Sequence, residues 1–462
     1  MKKIFLCFAF TGIVWSCGNI KKEEATTEVK TNIEEKTNQE LPPVSEDMME
    51  NAVIYEANIR QYSEEGSFSA FTKDIPVLKK LGVKILWVMP IYPISTTKSK
   101  GTLGSYYAIS DYTKVNPEFG TIEDFRALIK TAHEHGIYVI LDWVANHTGW
   151  DHGWLKEHPG YYTKNDKGDI THTVGTDWTD VADLNYDNQE MRKDMLDAMK
   201  YWIKEEGVDG YRCDVAGMVP VDFWNTAVEE LKKIKPVFML AEGWEPALLK
   251  KAFDMGYGWD THHVMNHIAK GENTVAAWDK RMVQVDTMYA TDDILMNFTS
   301  NHDENSWNGT VQERMGDAKE MFAALSYLSP GMPLIYSGQE YDMDKRLLFF
   351  EKDTIIKKKG VFFSLYEKLG KLKNENPALH GGKNAAAYTR IKTSQDEKIV
   401  AFLREKEGNK ILFVANMTKE SVKFTAEYEG KFRDYLSGEY IKGLRDQECI
   451  LDPWQYLILI EE

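Results

Sequence analysis

Cysteine is scarce: the 462 residues hold four, Cys7, Cys17, Cys213 and Cys449. Thiols so few and so scattered exclude a disulfide-stapled scaffold. Basic charge is also short. Lys and Arg number 56 against 72 Asp and Glu, a net charge of −16. An acidic chain repels phosphate backbones, which argues against nucleic acid as a partner. No nucleotide or redox-cofactor motif is present, so no organic cofactor is expected. The N-terminal apolar run, Ile4–Trp15, is too short to span a bilayer as a mature helix. The chain does not lack core material. Hydrophobic residues make up 43%, and the length suits a large catalytic domain with one accessory domain.

Lys2 and Lys3 precede the short apolar run, and Val14-Trp15-Ser16-Cys17 follows it. That arrangement resembles a lipobox, in which cleavage precedes a lipidated cysteine. Residues 1–16 are therefore expected to form a lipoprotein signal peptide, with lipid on Cys17 holding the protein to a membrane. Trp15 is bulkier than the usual residue there, which leaves a plain secretory signal as the alternative. Residues 17–47 are rich in Lys, Glu, Thr and Asn. Such a segment buries too little surface to offset its ordering entropy and reads as a flexible tether. Lys22-Glu23-Glu24 resembles the acidic export tag of Bacteroidetes surface lipoproteins, with a generic charged linker as the alternative reading. The first reading implies an outer-membrane or cell-surface location.

From Val53 onward, short apolar runs alternate with helical patterns. Val53–Gln61, Lys84–Pro90, Tyr138–Asn146, Gly210–Ala216, Val237–Gly243, Leu295–His302 and Pro333–Glu340 read as strands, and a weaker one lies near Gly256–Trp259. Phe68–Leu81, Ile122–His135 and Met191–Glu206 carry helical spacing. Nearly continuous apolar strands separated by helices predict a parallel sheet with right-handed crossovers. Eight such units predict a (β/α)8 TIM barrel over residues 48–380, with a small subdomain inserted after the third strand at about 147–186. The pattern then changes to strands without helices. Residues 386–391, 399–406, 410–417, 421–428 and 454–460 predict a C-terminal antiparallel β-sandwich domain over 381–462.

In barrels the chemistry sits at the carboxyl ends of the strands. The fourth strand ends Arg212-Cys213-Asp214, the fifth ends Ala241-Glu242, and the seventh ends Asn301-His302-Asp303. Three carboxylates thus converge on one rim. Arg212 and Asp214 are two apart and share a face. Arg212 is expected to hold Asp214 ionised, as a nucleophile must be. Glu242 follows an apolar strand, where desolvation favours the protonated carboxyl that a general acid needs.

Six stretches in order then resemble the signatures of the α-amylase superfamily of glycoside hydrolases. They are Asp142-Trp143-Val144-Ala145-Asn146-His147, Ala182-Asp183-Leu184-Asn185, Gly210-Tyr211-Arg212-Cys213-Asp214, Ala241-Glu242-Gly243, Ser300-Asn301-His302-Asp303 and Gly331-Met332-Pro333 through Gly338-Gln339-Glu340. The resemblance covers about residues 50–345. It implies Asp214 as nucleophile, Glu242 as general acid/base and Asp303 as the group that distorts the sugar ring. It further implies Arg212 as the orienter of Asp214, His147 and His302 as donors to sugar hydroxyls, and Tyr107 as a stacking platform. Such a pair retains anomeric configuration with its carboxyls about 5–5.5 Å apart.

The resemblance offers Asn146 and Asp183 as oxygen ligands for calcium, which suit a hard cation. Gly217-Met218, however, stand where many α-amylases carry Lys-His, which leaves calcium open. The expected substrate is an α-glucan such as starch or a malto-oligosaccharide, cleaved within the chain at α-1,4 bonds. Val215 and Asp183-Leu184-Asn185 keep alternatives open: an α-glucosidase, oligo-1,6-glucosidase, neopullulanase-like enzyme or glucan transferase acting on short oligosaccharides. Trp150, Trp154, Tyr161, Tyr162 and Trp178 in the insertion either line a glucan cleft or pack the subdomain. A non-catalytic glycan-binding lipoprotein would have lost catalytic carboxylates, and all three are in place.

Overall fold

A computed structural model of the chain describes residues 41–442, 444–445 and 448–461. The expected signal peptide, Cys17 and the tether as far as residue 40 lie outside the described residues. Eight parallel strands close into a barrel: Ile54–Ala57, Ile85–Val88, Tyr138–Trp143, Gly210–Cys213, Phe238–Ala241, Met255–Tyr257, Ile294–Asn297 and Met332–Tyr336. Neighbours pair in chain order, and the eighth strand closes on the first with Ile54 opposite Leu334. The weak sixth strand near residue 256 is real. Each strand is shorter than its apolar run, because the residues beyond it turn outward into the rim loops.

Strand parity fixes what faces the barrel interior. Ile54, Ile85, Ile140, Leu240, Met255, Ile294 and Leu334 form the inner apolar layer. One step of two residues further along, the same faces turn polar: Ile54 leads to Glu56, Ile140 to Asp142, and Leu240 to Glu242. Arg212 and Asp214 take the matching positions on the fourth strand, where Arg212 pairs in register with Asp142 on the third. The sequence thus stacks a charged layer on an apolar one at the carboxyl end of the barrel. Gly210 starts the fourth strand at φ +150°, and a Cβ there would fall 1.9 Å from the Phe238 carbonyl oxygen.

The amino end of the barrel is plugged. Ser45 caps a short helix, Glu46–Glu50, and Val44 and Met48 pack beneath the inner layer with Leu41. Residues 44–47, expected within the tether, therefore belong to the folded body. The helix expected over Phe68–Leu81 is two helices, Phe68–Thr72 and Ile75–Lys80. Pro76 sits in the first turn of the second, where its missing N–H is harmless. Ile122–Glu134 forms as expected, started by a capping box between Thr121 and Asp124.

The C-terminal region has two antiparallel sheets. Ala387–Arg390, Ile399–Lys406, Asn409–Asn416, Tyr456–Glu461, Lys431–Asp434 and Tyr440–Lys442 form six strands in that spatial order. Val422–Phe424 and Cys449–Leu451 form the smaller sheet. Ala401, Leu403, Leu412 and Val414 face Phe424 and Leu451 between the sheets. The alternate residues Val400, Phe402, Ile411 and Phe413 join the core of the barrel's helical layer. Strand alternation thus gives the larger sheet two buried faces.

Gly210→Ala would force the third and fourth strands or the fifth to shift, since the clash is with backbone. We expect a loss of at least about 3 kcal/mol in urea unfolding. A loss below about 1 kcal/mol would show that the strands can part at this point.

Candidate active site

The charged layer opens into a cleft of about 550 Å³ lined by Tyr107, His147, Asp214, Glu242, His302 and Asp303. Every catalytic and sugar-contacting residue expected from the sequence is brought to this one place, with Arg212 directly beneath. Arg212 is fully buried. Its Nη1 donates to Asp142 Oδ1 at 2.8 Å and to Asp214 Oδ1 at 3.0 Å. Its Nη2 lies 2.9 Å from Glu242 Oε2, an ion-pair contact whose angle falls short of a hydrogen bond. One guanidinium therefore sets the spacing of both rim carboxylates. Side-chain exposure is 10% for Asp214, 14% for Glu242 and 36% for Asp303.

Asp142 is the anchor that the signature contains but that no sequence argument had given a role. It is fully buried and accepts from Arg212, from Trp87 Nε1 at 3.1 Å and from Tyr107 Oη at 3.1 Å. Its place was legible only through its register with Arg212. Glu56 on the first strand is a second unforeseen member and accepts from His302 Nδ1 at 2.6 Å. Burial works against charge on His302, but Asp303 and Glu56 outweigh it and lift the imidazole to about 9. His302 is thus an imidazolium at neutral pH. Its Nε2 donates to Tyr107 Oη at 2.7 Å, and that hydroxyl donates its own hydrogen bond to Asp142. His147 is the opposite case: burial lowers it to about 4. Asn146 Nδ2 donates to His147 Nδ1 at 3.1 Å, which leaves the ring proton on Nε2.

Arg212 does pull Asp214 toward its ionised form, as expected from their shared face, but that pull is outweighed. Burial raises Asp214 well above the usual carboxylate range, and repulsion from Glu242 adds to the rise. Arg212 opposes both but is shared with Asp142 and Glu242. Burial also raises Asp142 and Asp303, so these three aspartates bind protons as an interacting set. Val215 follows the nucleophile candidate in the left-handed region, at φ 37° and ψ 47°. A β-branched residue is strained there. The conformation aims its amide at Glu242 Oε2, 2.7 Å away.

The calcium candidates are joined by a hydroxyl. Asn146 Nδ2 donates to Thr173 Oγ1 at 3.0 Å, and Thr173 Oγ1 donates to Asp183 Oδ1 at 2.7 Å. Calcium takes six to eight oxygens. One carboxylate, one amide and one hydroxyl do not fit that demand. Among the described residues no group of three or more His, Cys, Asp and Glu side chains is placed to hold a metal ion. Of the insertion's aromatics, Trp178 lines the cleft. Tyr161 and Tyr162 are buried, Trp154 packs on Tyr112 and Tyr161, and Trp150 donates to the Thr179 carbonyl. Trp307, Phe349 and Phe350 complete an aromatic wall that the sequence did not single out.

Residues 56–174 and 171–372 match the family described as the α-amylase catalytic domain. Alpha-amylase 3 of Dictyoglomus thermophilum is 26% identical, over 90% of this chain and 94% of its own. Cyclomaltodextrinase of Thermoanaerobacter pseudethanolicus is 27% identical, over 82% and 68%. Among solved structures, a noncanonic maltogenic α-amylase from Thermotoga neapolitana superposes with a TM-score of 0.82 at 30% identity, covering 89% of this chain and 98% of that one. An α-amylase from Lactobacillus plantarum gives 0.80 at 32% identity, covering 89% and 99%.

A raised Asp214 has a consequence for stability. Its contribution is fully present below its unfolded value near about 4 and is lost as pH rises through its folded value. Asp214→Asn keeps an acceptor for Arg212 and removes the buried charge. The variant should melt on the order of 1–3 °C above wild type at pH 7, and the gap should close below about pH 4. A variant that melts lower at pH 7 would show that Arg212 needs the full charge.

Proposed function

Because the chain belongs to the α-amylase family of glycoside hydrolases, we propose that it cleaves α-1,4-glucosidic bonds of starch or maltodextrins with retention of configuration. The observation that carries this reading is the shared guanidinium. Arg212 holds Asp214 and Glu242 on its two terminal nitrogens, at one end of an open cleft. Although burial raises Asp214, the reactive form is the one with Asp214 ionised and the proton on Glu242. The Asp214 carboxylate attacks the anomeric carbon as the glycosidic bond breaks, and Glu242 gives its proton to the departing oxygen. The product is a glycosyl ester on Asp214 and a glucan with a free hydroxyl. Glu242, now a carboxylate, takes a proton from water, and the resulting hydroxide attacks the anomeric carbon. The ester breaks and Asp214 is regenerated.

An oxocarbenium-like transition state is stabilised by a carboxylate beside it, and carboxyl groups outnumber cationic side chains around this pair. Five carboxyls (Glu56, Asp142, Asp214, Glu242 and Asp303) meet two cations, Arg212 and His302. Asp303, the most exposed of the rim carboxyls, is free to accept from sugar hydroxyls. His302 has both ring protons occupied in the resting site and donates to a hydroxyl by exchanging its Tyr107 contact. The Tyr107 ring lies near-parallel to Phe349, at 6.2 Å and 16°, which supports a platform role.

A second reading keeps the chemistry and changes the substrate to short oligosaccharides or pullulan. It is favoured by Met218, which is 52% exposed where a Lys-His pair would otherwise reach the bound glucan. Relatives named cyclomaltodextrinase and neopullulanase are compatible with it.

Soluble starch, pullulan, isomaltose and maltotriose, tested with wild type, Asp214→Asn and Glu242→Gln, separate the readings. Starch and maltotriose should be hydrolysed, and each variant should lose at least about 10³-fold in kcat with little change in KM. Activity confined to pullulan would move the substrate to the second reading. Full activity of Asp214→Asn would refute the nucleophile.

A further inference from the structure

The two rims of the cleft are built unequally. After strands four, five and six the chain turns quickly into helices that start at Val221, Pro246 and Trp259. After strands eight and two it runs on to helices that start at Val361 and Ile122, and after strand three it passes through the insertion, with its short helix Gly153–Glu157, before the helix that starts at Gln189. The long connections make a wall, and the loop at 96–104 ties its parts together. Near its start, the Thr96 and Thr97 amides donate to Asp151 Oδ2 of the insertion at 2.6 and 2.9 Å. On its return, the Leu103 amide donates to the Phe350 carbonyl at 3.1 Å and the Thr102 amide to Glu351 Oε1 at 3.0 Å. Gly101 lets this leg approach: at φ +64° a Cβ would stand 2.4 Å from Phe350 Cβ. At the tip, Lys100 crosses to the insertion. Its Nζ donates to the Asp177 carbonyl at 2.9 Å and lies 3.3 Å from Asp180 Oδ1. Lys100, Asp177, Asp180 and Phe350 all line the catalytic cleft.

The direction of the chemistry assigns the two ends. Glu242 protonates the departing oxygen, so the leaving chain lies toward strand five and the low rim. There Trp244, two residues past Glu242, is 47% exposed beside an open approach. The glycone, bonded to Asp214 in the intermediate, then faces the wall. We propose that the Lys100 bridge closes the glycone end of the cleft, so that the enzyme trims α-glucans from their non-reducing ends and releases short products. This replaces the mid-chain cleavage expected from the sequence, and it rests on the glycosidase reading above. Lys100 holds the tip with one charged contact and one carbonyl, so a substitution there loosens the tip while the anchors at Asp151 and Phe350 and the charged layer stay in place.

The test uses maltoheptaose with its terminal non-reducing 4- and 6-hydroxyls blocked, against the unblocked sugar. Wild type should cut the blocked form at less than about one tenth of the unblocked rate, because the cap cannot fit behind the wall. Lys100→Ala should raise the blocked-to-unblocked ratio at least ~5-fold, and Lys100→Arg should restore it. Asp180→Asn, which leaves the Asp177 carbonyl contact, should give a smaller rise in the same direction. Equal rates on both sugars by wild type, or a ratio unmoved in Lys100→Ala, would overturn the closure while leaving the hydrolase reading intact. A wild type inert toward every α-glucan would overturn both.

Discussion

The guanidinium of Arg212 is the fixed charge around which the rest of the site is arranged. It is fully buried and touches three carboxylates from three consecutive strands. Withdrawing such a cation from water costs several kcal/mol unless partners surround it, and removing one side of a buried pair costs about 3–5 kcal/mol. The carboxylates need Arg212 as much as it needs them. The third strand supplies Asp142, which also binds Trp87 and Tyr107. The fourth supplies the arginine itself and Asp214, and the fifth supplies Glu242. Parallel register and the two-residue period of strands make this meeting unavoidable once the barrel closes.

The layer beneath explains why the charges are tolerated at the carboxyl end alone. Ile140, Leu240, Met296 and Leu334 fill the middle of the barrel, and Val44 and Met48 close its other mouth. Burial in this layer raises the proton affinity of Glu56, Asp142, Asp214 and Asp303. Destabilising burial and catalytic readiness are two readings of one arrangement. Strain at Val215 belongs with it, since the left-handed turn is what points an amide at Glu242.

Much of this was legible in the sequence, for stated reasons. Continuous apolar runs such as Ile85–Val88 read as buried strands, and the residues ending them read as the rim. Arg212, Asp214, Glu242, His302 and Asp303 followed from parity and strand ends. What escaped was set by distant partners. Glu56 carries no local signal, and its role depends on His302 arriving from the seventh strand. The charge state of Asp214 could not be read from its neighbour Arg212, because that cation is divided among three acceptors. Lys431–Asp434, Tyr440–Lys442 and Cys449–Leu451 are three or four residues long, too short for alternation to show. The wall at Lys100 depends on a loop meeting a subdomain that lies about eighty positions further along the chain, as 100 is from 180.

The central claim is that Asp214 bonds to the sugar. A 5-fluoro-α-glucosyl fluoride slows breakdown of the glycosyl-enzyme more than its formation, which allows the intermediate to accumulate. The intact protein should gain the mass of one glycosyl group, and peptide sequencing should place it on the segment containing Asp214. A glycosyl group found on Glu242 or Asp303, or a product of inverted configuration formed with no adduct, would contradict the account.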